Sequence, residues 1–355
     1  MADRDTFDTL SPEFKVKIDG REVAEELRAD LVGVSVLDDV ESTGMCSVSL
    51  SCWDGVEMKV KWVDDELLNE GKSVAVSVGY RDRQEELFAG EISGLEPEFH
   101  TSEAPVLTIR SYDRSHRLMK QKKTKSFLRV KDSDIASMIA SEANLSPKID
   151  NTTVTFEHVF QHNQTDLEFL HSRAQRIGYE VYVQGTTLNF RKRAIDGSES
   201  IVLKREVELL EFYPRSTTMN QVGEVTVRGW DPKQKREIVA KSTAPAKGKM
   251  GATDGPAAIK RARWTSRTVE VRSPVWSGDE ADALASGLLN EIALQYVTGD
   301  GVCIGRPDLR PGRLVKIDGI GRRFGGLYYV TSTEHSYSRN RGYRTAFSVK
   351  RSATG

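Results

Sequence analysis

The chain has 355 residues, enough for two or three domains. Its 51 basic and 52 acidic residues give a net charge of −1, so no overall field favours nucleic acid or an anionic membrane. No apolar run approaches the ~18 residues of a transmembrane helix, and the acidic N-terminus lacks the apolar centre of a secretory signal. We therefore expect synthesis and assembly in the cytoplasm, without membrane insertion or specific nucleic-acid binding.

The N-terminal region, residues 1–125, is predicted to form a first β-barrel domain. Apolar and polar residues alternate there with the period of half-buried strands. The clearest runs are Phe14–Ile18, Val32–Val36, Val74–Tyr80 and Leu107–Ile109.

The three cysteines are predicted to be reduced. Cys46 and Cys52 belong to one alternating run, and six residues of strand span roughly 20 Å, beyond the ~7 Å Cα separation that a disulfide allows. Cys303 has no evident partner. This pattern fits a protein made in a reducing cytoplasm.

Residues 126–204 are predicted to form an α+β insertion module. Its first helix is expected over Asp132–Leu145. A second helix begins at Thr165, which has Glu168 three residues later as the partner of a capping box. Gly178 ends this helix, and the alternating residues that follow predict a β-hairpin.

Residues 205–355 are predicted to form a second β-barrel domain, which a loop at about 241–264 and a helix at about 278–297 interrupt. The first part of the loop, Lys241–Pro256, has the Gly, Pro, Ala and Lys content of an exposed excursion. The helix follows a second capping-box pattern that starts at Ser277. Strands are predicted at Val225–Val227, Val269–Val271 and Leu314–Ile317.

The two β regions resemble each other, which predicts an internal duplication. Four blocks recur in the same order and polarity. They are Gly71–Val76 with Gly312–Ile317, Phe88–Gly90 with Phe324–Gly326, Ile92–Phe99 with Val330–Tyr337, and Leu107–Arg110 with Phe347–Lys350. The predicted fold is therefore mainly β (α+β), with two similar β-barrel domains on either side of an α+β module.

The sequence predicts no catalytic, metal or cofactor site. His158 and His162 are four residues apart, but no glutamate lies between them and helix is expected only from Thr165, so polar loop residues are favoured over zinc ligands. The pairs Asp38–Asp39 and Asp64–Asp65 are candidates for acid–base chemistry, yet both adjoin predicted turns, where aspartate forms local hydrogen bonds. No G-x-S-x-G elbow, P-loop or dinucleotide-binding glycine motif is present.

The basic run Lys120–Lys125 lies at the junction of the first two predicted domains. No aromatic residues interleave it, so a solvated linker or a contact with an acidic protein is predicted rather than a phosphate-binding site.

The segment Phe156–Lys192, here called the hallmark segment, carries the most specific pattern of the chain. It resembles the signature F-x-Q-x-N-x-T-D-x-x-F-L-x-x-x-A-x-x-x-G-Y of the baseplate hub family of contractile tails. That family includes phage late control protein D and the base of the VgrG spike of type VI secretion. The matching residues are Gln161, Asn163, Thr165, Asp166, Phe169, Leu170, Ala174, Gly178 and Tyr179. Asn163 and Asp166 are candidates for a binding site, although hydrogen bonding at the start of the helix is favoured.

The resemblance implies assembly rather than catalysis. A hub of this family is a homotrimer that joins a trimeric spike to the hexameric inner tube and contacts other baseplate proteins. Two similar barrels in each chain would convert threefold symmetry into near-sixfold symmetry. No needle domain or lysozyme-like domain is recognisable after the second barrel, so the spike is expected to be a separate protein. The function takes place inside a phage tail or injection particle.

Two other function classes remain as alternatives. A tail-associated cell-wall hydrolase would need an acid–base pair in a cleft. A β-rich adhesin or carbohydrate-binding protein would need a signal peptide and clustered exposed aromatic residues. The sequence patterns indicate neither set, and they do not distinguish a phage from a secretion system or an extracellular injector.

Overall fold

The computed structural model describes residues 12–80, 83–195, 200–244, 250–265 and 267–355. Strands predominate, and many of them join one 13-stranded sheet, which confirms the predicted mainly β fold. Within these ranges every helix is too short or too polar to pass through a bilayer.

The first part of the chain forms a set of strands around one apolar core, here called the N-terminal β unit. Its core includes Val34, Val48 and Ile109. Val32, which was predicted to alternate with them, is 40% exposed because a bulge between Leu31 and Gly33 shifts the register. The elements are β1 (Glu13–Ile18), β2 (Arg21–Glu22), α1 (Glu25–Ala29), β3 (Leu31–Asp39), β4 (Met45–Ser51), β5 (Trp53–Asp54), β6 (Lys59–Val60), β7 (Ser73–Tyr80), β8 (Arg83–Glu98) and β9 (Val106–Asp113), with 3-10 turns at Glu66–Leu68 and Arg114–Met119.

A middle module follows and has its own core. Its elements are β10 (Lys122–Val130), α2 (Asp132–Glu142), β11 (Ser146–Ile149), β12 (Phe156–Thr165), α3 (Asp166–Arg176), β13 (Tyr179–Gln184) and β14 (Thr187–Lys192). β10 pairs with β12, and β11, β14 and β13 form a small sheet. β10 crosses the boundary that was predicted after residue 125, so much of the run Lys120–Lys125 is strand rather than linker.

The last part of the chain contains a second β unit and an additional small sheet. Its elements are β15 (Ser200–Lys204), β16 (Leu209–Ser216), β17 (Glu224–Asp231), β18 (Arg236–Ser242), β19 (Thr253–Asp254), α4 (Gly255–Arg261), β20 (Thr268–Arg272), α5 (Gly278–Leu294), β21 (Val297–Ile304), β22 (Leu314–Asp318), β23 (Gly326–Ser338), β24 (Gly342–Arg351) and β25 (Ala353–Thr354). Strands β15, β16 and β21–β24 surround a core with Val315 and Phe347 and are called the C-terminal β unit.

Two predictions for this region were wrong. The strands at Val225–Val227 and Val269–Val271 do not belong to the C-terminal β unit, because β17, β18 and β20 form a separate sheet that packs on α5. The stretch predicted as loop contains α4. Its helix starts because Asp254 accepts a hydrogen bond from the Ala257 N–H at 2.9 Å and Pro256 occupies the first turn, a position that favours proline. Residues 245–249 of that loop lie outside the described residues.

The two β units contain the same six-stranded arrangement. In the N-terminal β unit the strand order is β3-β4-β9-β8-β7-β1, and in the C-terminal β unit it is β16-β21-β24-β23-β22-β15. The order along the chain is also the same. Only the last strand differs in direction, since β1 is antiparallel to β7 whereas β15 is parallel to β22.

Details of the hydrogen bonding repeat as well. The Gly71 N–H donates to the Ile92 carbonyl at 2.8 Å, and the Gly312 N–H donates to the Val330 carbonyl at 2.9 Å. Both glycines have positive φ, +87° and +77°, a conformation that favours glycine. The β-bulges also occur at equivalent positions. The register of β8 shifts between Ile92 and Gly94, and that of its equivalent β23 shifts between Val330 and Ser332. The register of β3 shifts between Leu31 and Gly33, and that of its equivalent β16 shifts between Leu209 and Glu211.

The predicted duplication matches this repeat in block order, but two blocks were aligned two residues out of register. In the N-terminal β unit Ile109 lies opposite Leu95, and in the C-terminal β unit Phe347 lies opposite Thr333, the equivalent of Leu95. Ile109, and not Leu107, is therefore the equivalent of Phe347. In the same way Phe88, opposite Val76, is equivalent to Gly326, opposite Ile317, and not to Phe324. A two-residue slip keeps every side chain on the same face of a strand, so alternation alone cannot detect it.

The two β units are joined edge to edge, which the sequence did not predict. Residues Ser332–Ser338 of β23 pair antiparallel with Gly33–Asp39 of β3. Among the described residues, the strand pairings close neither unit separately; they form one continuous sheet with a distinct apolar core in each half.

The core of the middle module gives a first prediction. Leu170 is fully buried in it, so Leu170→Ala should lower the free energy of unfolding by roughly 2–5 kcal/mol through lost contacts and a cavity. Leu128 on β10 of the same module is 67% exposed and provides the control, because Leu128→Ala removes the same atoms from the surface. Urea denaturation of both variants tests this, and equal losses would show that Leu170 does not act through the core.

The start of α3 gives a second prediction. The Thr165 hydroxyl accepts a hydrogen bond from the Glu168 N–H at 3.2 Å, and the Glu168 carboxylate accepts one from the Thr165 N–H at 2.8 Å. Thr165→Ala should cost about 1 kcal/mol, whereas Thr165→Ser keeps the hydroxyl and should cost much less. If a thermal melt gave the alanine variant the same melting temperature as the wild type, this role of Thr165 would be contradicted.

Candidate functional site

The polar residues of the hallmark segment meet at the end of β12 and the start of α3. The buried Gln161 amide donates to the Gln164 carbonyl at 3.0 Å and to the Asp166 carboxylate at 3.1 Å. Lys123 of β10 forms an ion pair with Asp166 at 2.6 Å. Asn163 has φ of +49°, a left-handed conformation that asparagine adopts more readily than most residues. These contacts fix the start of α3.

The apolar residues of the hallmark segment lie in the core of the middle module. Phe169 stacks on Phe127 of β10, with ring centroids 5.7 Å apart. Leu170 and Ala174 are buried, and the Tyr179 ring lies 5.4 Å from that of Phe190. The segment therefore connects β10, β12 and the β13–β14 hairpin.

The C-terminal end of α3 contacts α5 of the following region. Gly178 has φ of +69° and ends the helix, as predicted. Gly287 of α5 faces this end so closely that a Cβ atom on it would lie 2.5 Å from the Arg176 carbonyl oxygen. Arg176 also forms a 3.1 Å ion pair with Glu280. Gly287 carries no sequence signal of this contact, because a glycine within a helix does not reveal a neighbour that is distant in sequence.

A buried ionic cluster joins the middle module to the C-terminal β unit. Glu180 of β13 is 3% exposed, pairs with Arg191 at 2.6 Å and accepts a hydrogen bond from the Tyr329 hydroxyl of β23. Burial, together with the charge of Glu180, raises the pKa of Tyr329 well above its usual value, so the phenol remains a donor. Beside it, Arg193 pairs with Glu291 of α5 at 2.5 Å. No local sequence pattern marks these residues.

A polar cavity of about 250 Å³ lies where the N-terminal β unit, the middle module and the C-terminal β unit meet. Asp38 lines it and forms a 3.0 Å ion pair with Arg310. Asp113 also lines it and accepts hydrogen bonds from the N–H groups of Gly44 and Ser115, both at 2.7 Å. Burial raises the pKa of Asp113 to about 6 and also raises the pKa of Asp38. The cavity thus contains carboxyl groups that are already engaged by protein donors.

The carboxylate pairs that were considered for acid–base chemistry also make local hydrogen bonds. Asp39 accepts the Glu41 N–H at 2.7 Å, and Asp65 accepts the Leu67 N–H at 2.9 Å at the start of a 3-10 turn. Both contacts match the structural role that the turn positions predicted.

The histidine pair lies on a strand rather than in the predicted loop. His158 and His162 are on β12, where Phe160 stacks between them with ring centroids 6.1 and 5.6 Å away. β12 is a strand because it pairs with β10 along most of its length, a long-range contact that the polar composition hides. The part of the chain that the structure describes contains no group of three His, Cys, Asp or Glu residues arranged to hold a metal ion.

The lysine run makes ion pairs within the middle module. Besides Asp166, Lys123 approaches Glu142 of α2 at 3.5 Å, and Lys125 pairs with Glu142 at 2.5 Å. These lysines therefore hold β10 against the helices instead of forming a free basic segment.

An aromatic cleft on the additional small sheet was not predicted. Trp230 of β17 and Trp276 before α5 are 57% and 61% exposed and line the same shallow cleft with Pro232 and Pro274. The two tryptophans are far apart in sequence, so only the fold brings them together. The chain thus has one of the two features required of an adhesin, clustered exposed aromatic residues.

The fold is similar to that of solved phage tail and secretion proteins. The 43 kDa tail protein of prophage MuSo2 from Shewanella oneidensis is 12% identical, with a TM-score of 0.71 over 97% of this chain and 100% of that chain. The tail protein from Neisseria meningitidis MC58 is 13% identical, with a TM-score of 0.69 over 96% of each chain. At these identities the likeness establishes the fold.

A more distant neighbour is the E. coli c3393 protein, described as a component of the type VI secretion system with structural similarity to T4 bacteriophage tail proteins. It is 14% identical, with a TM-score of 0.59 over 94% of this chain and 76% of that chain. A comparison with curated proteins finds no match to the sequence.

One protein-family profile, described as the Alg8 N-terminal domain, matches residues 8–339, which include the N-terminal β unit, the middle module and the C-terminal β unit except β24. The chain therefore belongs to the Alg8 N-terminal domain family.

Proposed function

We propose that this protein is the structural baseplate hub of a contractile phage tail or a phage-like contractile injection system. In this role it is a trimeric adaptor between a separate spike protein and a hexameric inner tube. The observation that carries the proposal is the six-stranded arrangement that occurs twice in one chain. The likeness in fold to two tail proteins over nearly the whole chain supports it.

The symmetry argument follows from the repeat. A ring of three chains presents six similar β units, so one face of the ring can match a sixfold tube while the other retains threefold symmetry for the spike. A ring of six chains would present twelve units and would match neither partner in this way.

An adaptor also has to hold its two β units in a fixed relation, and the contacts within the chain do so. The pairing of β3 with β23 joins the units directly. The Glu180–Tyr329 hydrogen bond and the Arg193–Glu291 ion pair fasten the middle module to the C-terminal part. Separating a buried charge from its partner is costly, so these joints favour a rigid chain.

The role that we propose is structural rather than enzymatic. Asp38 of the polar cavity is engaged by Arg310 and Asp113 by backbone N–H groups, which suits a joint between modules. The partners in this proposal are the spike protein, the inner tube protein and other baseplate proteins, and the site of action is the assembled particle.

The oligomeric state gives a third prediction. Purified protein should associate into trimers, with a mass three times the 39.6 kDa of one chain, and the spike protein should shift the equilibrium towards the trimer by mass action. Multi-angle light scattering over a concentration series, with and without the spike protein, measures this. A stable dimer or tetramer under both conditions would contradict the proposal.

Tube binding gives a fourth prediction. If both β units of each chain contact the tube, a saturated complex should contain six tube subunits for three hub chains. Native mass spectrometry of the hub mixed with tube protein counts the subunits. Saturation at three tube subunits would mean that only one β unit of each chain takes part.

A further inference from the structure

Among the open strand edges in the described part of the chain, two belong to strands that have equivalents at the junction of the β units. β16 pairs with β21 on one side, and its outer edge, which ends the 13-stranded sheet, has no ladder beyond an isolated bridge between Leu209 and Arg205. β8 pairs with β9 along its second half, but β7 covers only its first half, so Gly94–Glu98 has one open edge. Open edges are places where strands of another chain can add.

The repeat within the chain indicates what these edges do. β16 is equivalent to β3, and β8 is equivalent to β23. Inside the chain, the equivalents of the two open edges are paired with each other, Gly33–Asp39 of β3 against Ser332–Ser338 of β23. In a ring where the two units alternate, the same contact should recur between neighbouring chains.

We propose that the second half of β8 in one chain lies antiparallel beside β16 of a second copy, with Glu96 opposite Arg215. The register comes from the internal contact, in which Glu334 lies opposite Leu37. Glu96 and Arg215 are the equivalents of these two residues in the other unit. The inference rests on the proposed trimeric hub and specifies its subunit interface.

The charges of the two edges are complementary in this register. Glu96 faces Arg215, and the same alignment brings His100 opposite Glu211. In the single chain Glu96 pairs with Arg110 at 2.7 Å and Arg215 pairs with Asp300 at 2.8 Å, yet their side chains are 49% and 73% exposed, so both are accessible to a partner. A shift of two residues in one direction places Glu98 opposite Glu211, and like charges directly opposite each other destabilise a strand pair.

An exposed aromatic residue fits the same register. Phe99, which is 60% exposed, is equivalent to Tyr337 at the internal junction. Tyr337 packs across that junction on Phe14, with ring centroids 4.7 Å apart. At the proposed interface Phe99 faces Phe212, which is already partly buried against the core of the C-terminal β unit. Association would therefore bury apolar surface that the single chain leaves in water.

Two prolines meet at the centre of the proposed interface. The Thr217 N–H bonds to the Tyr296 carbonyl at 3.1 Å, so the alternating geometry turns the nitrogen of Pro214 away from β21 and towards the open edge. Pro97 likewise turns its nitrogen away from β9. Because neither proline has an N–H, the ladder is interrupted at this rung, and strand bonding is confined to the flanking residues. Edge prolines weaken indiscriminate strand pairing, which suits a ring that forms only with its partners.

A cross-link tests the register. Glu98 and Tyr213 should face each other across the interface in a pair without backbone hydrogen bonds, where side chains approach most closely. The three native cysteines are buried, so Glu98→Cys with Tyr213→Cys should give disulfide-linked trimers on mild oxidation. Glu85 is also exposed on β8 but lies in the half that β7 covers, so Glu85→Cys with Tyr213→Cys is the control and should remain unlinked.

Charge variants in the same background sharpen the test. Arg215→Glu should lower the cross-linked yield severalfold because it places two carboxylates opposite each other, and adding Glu96→Arg should restore the yield. The Glu98→Cys/Tyr213→Cys protein could form trimers by mass yet give no cross-link, or Glu96→Arg could fail to restore the cross-linked yield. Either result would overturn this interface while leaving the hub proposal intact. Absence of trimers in both the presence and absence of spike protein would overturn the hub proposal and this interface together.

Discussion

The antiparallel contact between β3 and β23 is the constraint on which the rest of the structure depends. It joins Gly33–Asp39 to Ser332–Ser338 and turns two similar six-stranded units into one sheet. Because a strand ladder fixes both spacing and direction, the two units have a defined relation that loops alone would not provide. The two copies of the repeat therefore have a fixed spacing and orientation in the molecule. Open edges remain at β8 and β16, where a neighbouring chain would extend the sheet.

The middle module braces this junction through polar contacts. One contact is the buried cluster of Glu180, Arg191 and Tyr329, where an unpaired charge would be costly. Another is the ion pair between Asp38 and Arg310, which links the two β units beside the polar cavity. The hallmark segment contributes to these contacts, because Asp166 forms an ion pair with Lys123 and the C-terminal end of α3 packs against Gly287. The residues of the hallmark segment that make these contacts therefore serve the internal architecture of the chain.

Local patterns predicted much of this fold, because capping and alternation act over a few residues. Thr165 with Glu168, Gly178 and the strand at Val74–Tyr80 are all as predicted. Long-range contacts could not be predicted in the same way. The two-residue slip at Phe88 preserves alternation, so alternation does not reveal it. The polar sequence around His158 is typical of a loop, and only the pairing with β10 makes it a strand. Trp230 and Trp276 line one cleft only because the fold brings them together. Glu180 and Gly287 carry no local signal.

The central claim is that three copies of one chain supply six equivalent positions around an axis. A cryo-electron microscopy reconstruction of the particle that contains this protein, computed without imposed symmetry, measures this directly. We expect three chains whose N-terminal and C-terminal β units alternate at one radius, spaced by about 60° as a ring of six units requires. Six chains in the ring, or β units at two different radii, would contradict it.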